Sequence, residues 1–159
     1  MRHLSRPTAL PELSVGTPKV PRMALSVVER QEFLAQPHVA ALSVEAGPDR
    51  GPLSVPIWYF YVPGDRPWVL TPPDSRKARL IAAAGRFTLL VHRTSPTVRY
   101  VSVEGRVSRS GPATADQVRR VACRYVPPER VEAYVEFARD EHIIVMQPER
   151  WLSADLGPG

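Results

Sequence analysis

Cysteine and lysine are scarce in this sequence and long apolar runs are missing, and each shortage removes a class of protein. A single cysteine, Cys123, in 159 residues excludes an intramolecular disulfide framework and any Cys-x-x-Cys metal or redox site. The four histidines, His3, His38, His92 and His142, are scattered, so no metal site is expected. No stretch approaches the ~18 apolar residues that span a bilayer. The start is broken by Pro7, Pro11, Pro18 and Pro21 and lacks the continuous apolar segment of a signal peptide. The expectation is a cytoplasmic protein with no membrane partner.

What is present points to one folded domain. Hydrophobic residues at 43% and charged residues at 23% lie in the globular range. The length suits a single domain with a real core. The net charge of +5 suggests a nucleic-acid partner until its distribution is read. Four of the 21 bases and one of the 16 acids lie in Met1–Met23, which leaves 17 bases against 15 acids in the body. That excess is too small for a polyanion-binding surface, and the basic tail has no aromatic residue to stack on a base. No nucleic-acid partner is expected. Only two bases, Lys19 and Lys77, are lysines.

Proline punctuation without periodicity reads as a flexible tail over residues 1–22, with a single domain over 23–159. Ser26, three residues before Glu29, forms a capping-box signature for a helix over about Ser26–Ala35. Strand patterns follow at Val39–Glu45, Leu53–Tyr61 and Pro67–Thr71, joined by turns at Gly47–Gly51 and Pro63–Asp65. Leu53–Tyr61 is apolar or aromatic on both faces, so it should be covered on two sides. A helix is expected over Ser75–Ala84, stopped by Gly85. Strands Arg86–Arg93 and Val98–Ser108, helices Thr114–Tyr125 and Glu129–Arg139, and a strand Ile143–Gln147 complete the order. Sequential strands with tight turns indicate a mainly β (α+β) antiparallel barrel with flanking helices.

Two stretches carry chemistry. Thr71 ends a strand, and Ser75, Arg76, Lys77 and Arg79 open a helix whose dipole favours anions, which is a phosphate site in physical terms. A solvated, serine-capped helix face explains the same residues equally well. Val55-Pro56-Ile57-Trp58-Tyr59 offers a flat apolar surface interrupted by a proline, suited to a ring system or simply to core packing. No nucleophile-base arrangement is legible, and Cys123, beside Ala122, reads as a small packing residue.

Pro56-Ile57-Trp58-Tyr59, Trp68–Thr71, Ser75-Arg76-Lys77 and Tyr100-Val101-Ser102-Val103-Glu104-Gly105 together resemble the pyridoxamine 5′-phosphate oxidase superfamily. The closer likeness is to its actinobacterial branch of F420-dependent enzymes, and it spans about Ala24–Leu156. The resemblance implies a six-stranded antiparallel split β-barrel, homodimeric, with cofactor grooves at the subunit interface. It places the strand matching Val55, Pro56, Ile57, Trp58 and Tyr59 along a tricyclic ring. Thr71, Ser75, Arg76, Lys77 and Arg79 would hold the ribityl phosphate, and the strand carrying Tyr100 would help form the groove and the dimer. True pyridoxamine phosphate oxidases carry an Arg-Leu-His element near the C-terminus; here the chain reads Pro148-Glu149-Arg150-Trp151, so oxidation of vitamin B6 is not implied.

The implied activity is hydride transfer between F420, or FMN as the alternative, and a small organic substrate. Tyr59, Tyr61 and Tyr100 are the hydroxyls that would polarise that substrate. A second reading, from a different class, is a non-catalytic protein that holds a flavin, haem or similar ligand in the same barrel.

Overall fold

Three helix starts are fixed by side chains that the sequence places where backbone N–H groups lack partners. The computed structural model describes residues 23–158; the expected tail, Met1–Arg22, lies outside the described residues. In helix α1 (Val27–Ala35), Ser26 Oγ accepts from the Glu29 N–H at 3.2 Å and Glu29 Oε2 accepts from the Ser26 N–H at 2.8 Å. Helix α2 (Arg76–Ala84) is capped by Ser75 Oγ, which accepts from the Ala78 N–H. It ends at Gly85, whose φ of 69° supplies the left-handed turn that stops a helix. Helix α3 (Ala115–Tyr125) opens on a Thr114–Gln117 capping box, and a short 3₁₀ turn at Pro128–Arg130 leads into α4 (Val131–Phe137).

The strands are β1 (Ala40–Val44), β2 (Leu53–Ile57), β3 (Tyr59–Phe60), β4 (Trp68–Thr71), β5 (Arg86–Arg93), β6 (Arg99–Pro112) and β7 (His142–Asp155). They form one sheet in the order β2-β1-β5-β6-β7-β4-β3, and every pairing is antiparallel. The expected continuous strand Leu53–Tyr61 is broken at Trp58. Its first half pairs with β1 and its second with β4, so the sheet begins and ends on consecutive pieces of one segment. The observed count of seven differs from the expected six because Trp58, leaving one ladder for the other, belongs to neither.

Period-two alternation sets the inside of the curled sheet. Leu42, Leu89, Val91, Val101, Val103 and Met146 point inward, and Phe33 and Leu34 of α1 close one end of that core. A second cluster lies on the opposite face of β4 and β7, where Trp68, Leu70, Ile143 and Val145 pack against Val118, Val121 and Ala122 of α3 and Val131 and Val135 of α4. The helix pair therefore covers only the β3-β4-β7 part of the outside. Covering of Leu53–Tyr61 on both faces holds for Trp58 and Phe60, which join that second cluster, and fails for Ser54 and Pro56, which are exposed.

The last strand runs to Asp155 and not to Gln147. Pro148 would normally interrupt a strand, because it has no N–H to donate. Here it lies opposite Gly105, where the β6–β7 register shifts by one residue. A Cβ on Gly105 would stand 1.8 Å from the Gln147 carbonyl oxygen, so only glycine lets the strands meet there. The extra residue, Glu149, turns its carboxylate to Arg86 and Arg106, at 3.0 and 2.6 Å. Cys123 is a further correction. It is exposed, and Ala122 takes the inward position on α3.

Candidate functional site

The break at Trp58 opens a cleft of about 310 Å³ between the barrel and the helix pair. Pro56, Ile57 and Trp58 form one wall, Leu70 and Pro72 the floor beside β4, and Val121 and Tyr134 the helical wall; Lys77 and Glu141 bring the charge. Trp58 is held flat by stacking on Tyr125, with centroids 4.9 Å apart and planes 2° apart, and by a tilted contact with Tyr134 at 5.5 Å. The Tyr125 hydroxyl anchors that stack. It accepts from the Tyr59 N–H at 3.4 Å, and its proton lies between the His38 carbonyl at 2.8 Å and the Tyr59 carbonyl at 3.1 Å. Arg124 adds a second tie from α3, donating to the carbonyls of Gln36 and Tyr61. The backbone just past the break, at Tyr59 and Tyr61, is thereby tied to α3.

A shallower groove of about 330 Å³ adjoins the cleft at Val39 and Pro56 and is lined also by Ala41, Ser54, Val55 and His92. Both depressions are apolar and carry few polar groups, the usual make-up of a small-molecule site.

The structure brings together Pro56, Ile57, Trp58 and Lys77, all on the cleft, with Val55 on the adjoining groove. It does not bring the rest of the expected phosphate set to that wall. Thr71 is buried and shares a 2.9 Å hydrogen bond with Ser75, whose oxygen is also the cap of α2. Arg76 is exposed, and Arg79 folds back to donate to the Asp74 carbonyl.

The tyrosines differ from expectation. Tyr59 is fully buried, its hydroxyl donating to the Leu34 carbonyl at 2.6 Å with the Gln36 carbonyl at 3.0 Å, and burial pushes its pKa well above the ordinary value. Tyr61 also points into the barrel, with Trp151 beside it, and its hydroxyl is buried there. Neither hydroxyl reaches the cleft. Tyr100 is half-exposed on the outside of β6, paired with His92.

Sequence reasoning missed Tyr134 and Glu141. Burial pushes the Tyr134 hydroxyl up, and the nearby Glu141 carboxylate adds to that. Burial also pushes the Glu141 carboxyl up, while Lys77 opposes it. Nothing in the local sequence around either residue marks them, because the cleft joins segments more than sixty residues apart in the chain. Among the described residues no group of three or more His, Cys, Asp or Glu side chains is placed to hold a metal ion, and no helix is long and apolar enough to cross a membrane.

An antiparallel barrel closed through a broken strand, with a cleft at the break, defines a split-barrel protein. The family model of pyridoxamine 5′-phosphate oxidase matches residues 28–154, and the chain belongs to that family. Among solved structures, the conserved hypothetical protein Rv2991 from Mycobacterium tuberculosis is 22% identical with a TM-score of 0.68, over 87% of this chain and 88% of that one. A protein described as an F420 reductase is 23% identical with a TM-score of 0.64, over 77% of this chain and 94% of its own. A FAD-binding protein from Mesorhizobium loti is 17% identical with a TM-score of 0.60, over 84% and 97%. At these identities the likeness concerns the fold. No curated protein matches the sequence.

Proposed function

We propose that the chain is an oxidoreductase that holds a deazaflavin, F420, in the cleft at Trp58, with FMN as the alternative cofactor. The observation that carries this reading is the meeting of Pro56, Ile57 and Trp58 with Lys77 on one cleft. A flat wall held rigid by the Trp58–Tyr125 stack suits a planar ring, and a single cation at one end suits a phosphate. When bound, the cofactor supplies hydride transfer. The chain's own residues orient the ring, keep water from one of its faces, and hold the phosphate at Lys77. Tyr134 and Glu141 are the polar groups positioned to meet a small organic substrate or the cofactor's own polar edge.

The site is proposed to be completed by a second copy of the chain. One row across the outside of the sheet, Pro56, Ala41, Leu90, Ser102 and Leu152, carries no charge, and Leu90 and Leu152 are 37% and 63% exposed. A cleft near the lower end of the ~300–1,000 Å³ range for ligand sites also leaves room for a wall from a partner. Leu90→Arg with Leu152→Arg should give a monomer by light scattering; a dimer that persists would move the interface elsewhere.

The test of the cofactor is a pair of fluorescence titrations of the cofactor-free protein with F420 and with FMN. Tight F420 binding with weak FMN binding supports the first choice, and the reverse order redirects the search to flavin chemistry. A non-catalytic carrier of the same ligand is favoured by one observation, that Tyr59 and Tyr61 spend or bury their hydroxyls inside the barrel. Turnover of the reduced cofactor with a panel of enones, imines and quinones separates the two; binding without turnover would establish the carrier.

A further inference from the structure

The cleft that presents Lys77 also presents Glu141, and the two groups make opposite demands on an anion. Glu141 is delivered by a fixed stretch of backbone just before β7: its N–H donates to the Ala138 carbonyl at 3.1 Å, and its carbonyl accepts from the Ala113 N–H at 2.9 Å. Its side chain is half-buried on the cleft, facing Lys77 from α2 and Tyr134 from α4. The neighbouring charges on its own loop are turned away. Arg139 pairs with Glu136 at 2.6 Å and Asp140 at 3.6 Å on the surface, and His142 lines a separate pocket with Ser110 and Ile144. Among the described residues, Lys77 is the one charge acting against the burial of Glu141, and neither side chain takes part in a salt bridge.

An anion bound at Lys77 therefore competes with the half-buried Glu141 carboxyl for the positive charge on this cleft. Two negative groups would then share one half-buried lysine, which is unfavourable in a partly desolvated site. We infer that Glu141 couples anion binding in this cleft to proton uptake: when the anion engages Lys77, the Glu141 carboxylate takes one proton from solvent and becomes a neutral hydrogen-bond donor beside the ligand. Charge balances, because one anion enters and one carboxylate is neutralised. Binding of phosphorylated ligands then tightens as pH falls, and ligands without the anionic group are indifferent. The inference rests on the cleft being the cofactor site and adds a regulator to it.

The experiment is a set of fluorescence titrations with FMN at about pH 5.5 and about pH 7.5, riboflavin serving as the phosphate-free control, on the native protein and on Glu141→Gln. The FMN phosphate itself titrates near this range, but that contribution is common to the two proteins being compared. Glu141→Gln should bind FMN roughly fivefold to tenfold more tightly than the native protein near neutral pH, since a neutral amide replaces a competing charge. The native protein should gain more than the variant on acidification, by roughly threefold or more. Calorimetry in two buffers of different ionisation enthalpy should show FMN binding take up protons in the native protein and fewer in Glu141→Gln. FMN binding that depends on Lys77 but has the same pH response in both proteins overturns the coupling and leaves the cofactor reading standing. Failure of FMN and F420 alike to bind overturns both. If Glu141→Gln fails to fold, the side-chain carboxyl carbon of Glu141 followed by NMR in the native protein decides: it should move to the protonated position on FMN addition, and an unmoved signal sinks the inference.

Discussion

The two halves of the segment Leu53–Phe60 share an inward face and differ on the outward one. Inward, Ile57 and Tyr59 sit in one continuous core with Leu42, Leu89 and Val101. Outward, Ser54 and Pro56 are exposed, while Trp58 and Phe60 are roofed by α3 and α4. The junction between bare and roofed halves is where the cleft forms. A site here needs no specialised loop. It arises where a covering layer stops partway along a strand, so apolar surface and a backbone break coincide. The inward face should accordingly carry stability and the outward face binding, and substitutions can test that division.

The largest expected effect is inward. Gly105→Ala drives a methyl group into the Gln147 carbonyl, a backbone clash that no side-chain rotation relieves. Unfolding in urea should show a loss of about 3 kcal/mol or more, at or above the usual range for overpacking. A loss under about 1 kcal/mol would mean that the β6–β7 bulge can move.

Lys77→Ala should do the reverse. Cofactor affinity should fall by about 1.5–3 kcal/mol, the loss expected for a hydrogen bond to a charged group. Stability should stay within about 0.5 kcal/mol. Unchanged affinity would place the anion away from α2.

Tyr59→Phe comes next. It leaves the ring in place but strips the hydroxyl from the Leu34 and Gln36 carbonyls, which stay buried or part-buried. A destabilisation of about 1–2 kcal/mol is expected, with cofactor binding retained. A variant that folds normally but loses turnover would return Tyr59 to the chemistry.

Ser54→Ala, on the bare half, should change stability by less than about 0.5 kcal/mol, because Ser54 is exposed and water replaces its 2.7 Å bond to Ser43. Together, Ser54→Ala and Tyr59→Phe compare two hydroxyls on one segment that differ chiefly in the face they occupy. Equal losses would erase the division.

Much of the fold was legible because its signals are local. Ser26 with Glu29, Ser75, Gly85 and Thr114 mark helix ends through bonds that span three or four residues, and the structure places the ends there. The break at Trp58 was not legible, since the apolar run is continuous from Val55 to Tyr61 and only the opposite pairing of its halves divides it. The extension of β7 past Pro148 was hidden for a similar reason: the missing donor is tolerated only because Gly105 stands opposite at a bulge. The site divided the same way. Pro56, Ile57, Trp58 and Lys77, which two short motifs single out, lie on the cleft, whereas Tyr134 and Glu141 arrive there only through the packing of α4 and the start of β7. Tyr59 and Tyr61 misled because alternation tells which residues share a face and not which face is inside.

A sheet whose first and last strands are successive pieces of one segment also has little to offer a misassembling neighbour. Growth of an amyloid-like stack starts from a long, flat, unpaired strand edge. Here the outermost strands are five and two residues long, and the longer one contains Pro56, which has no N–H to extend a ladder. Self-templated growth along the sheet is thus discouraged by the same turn of chain that opens the cleft.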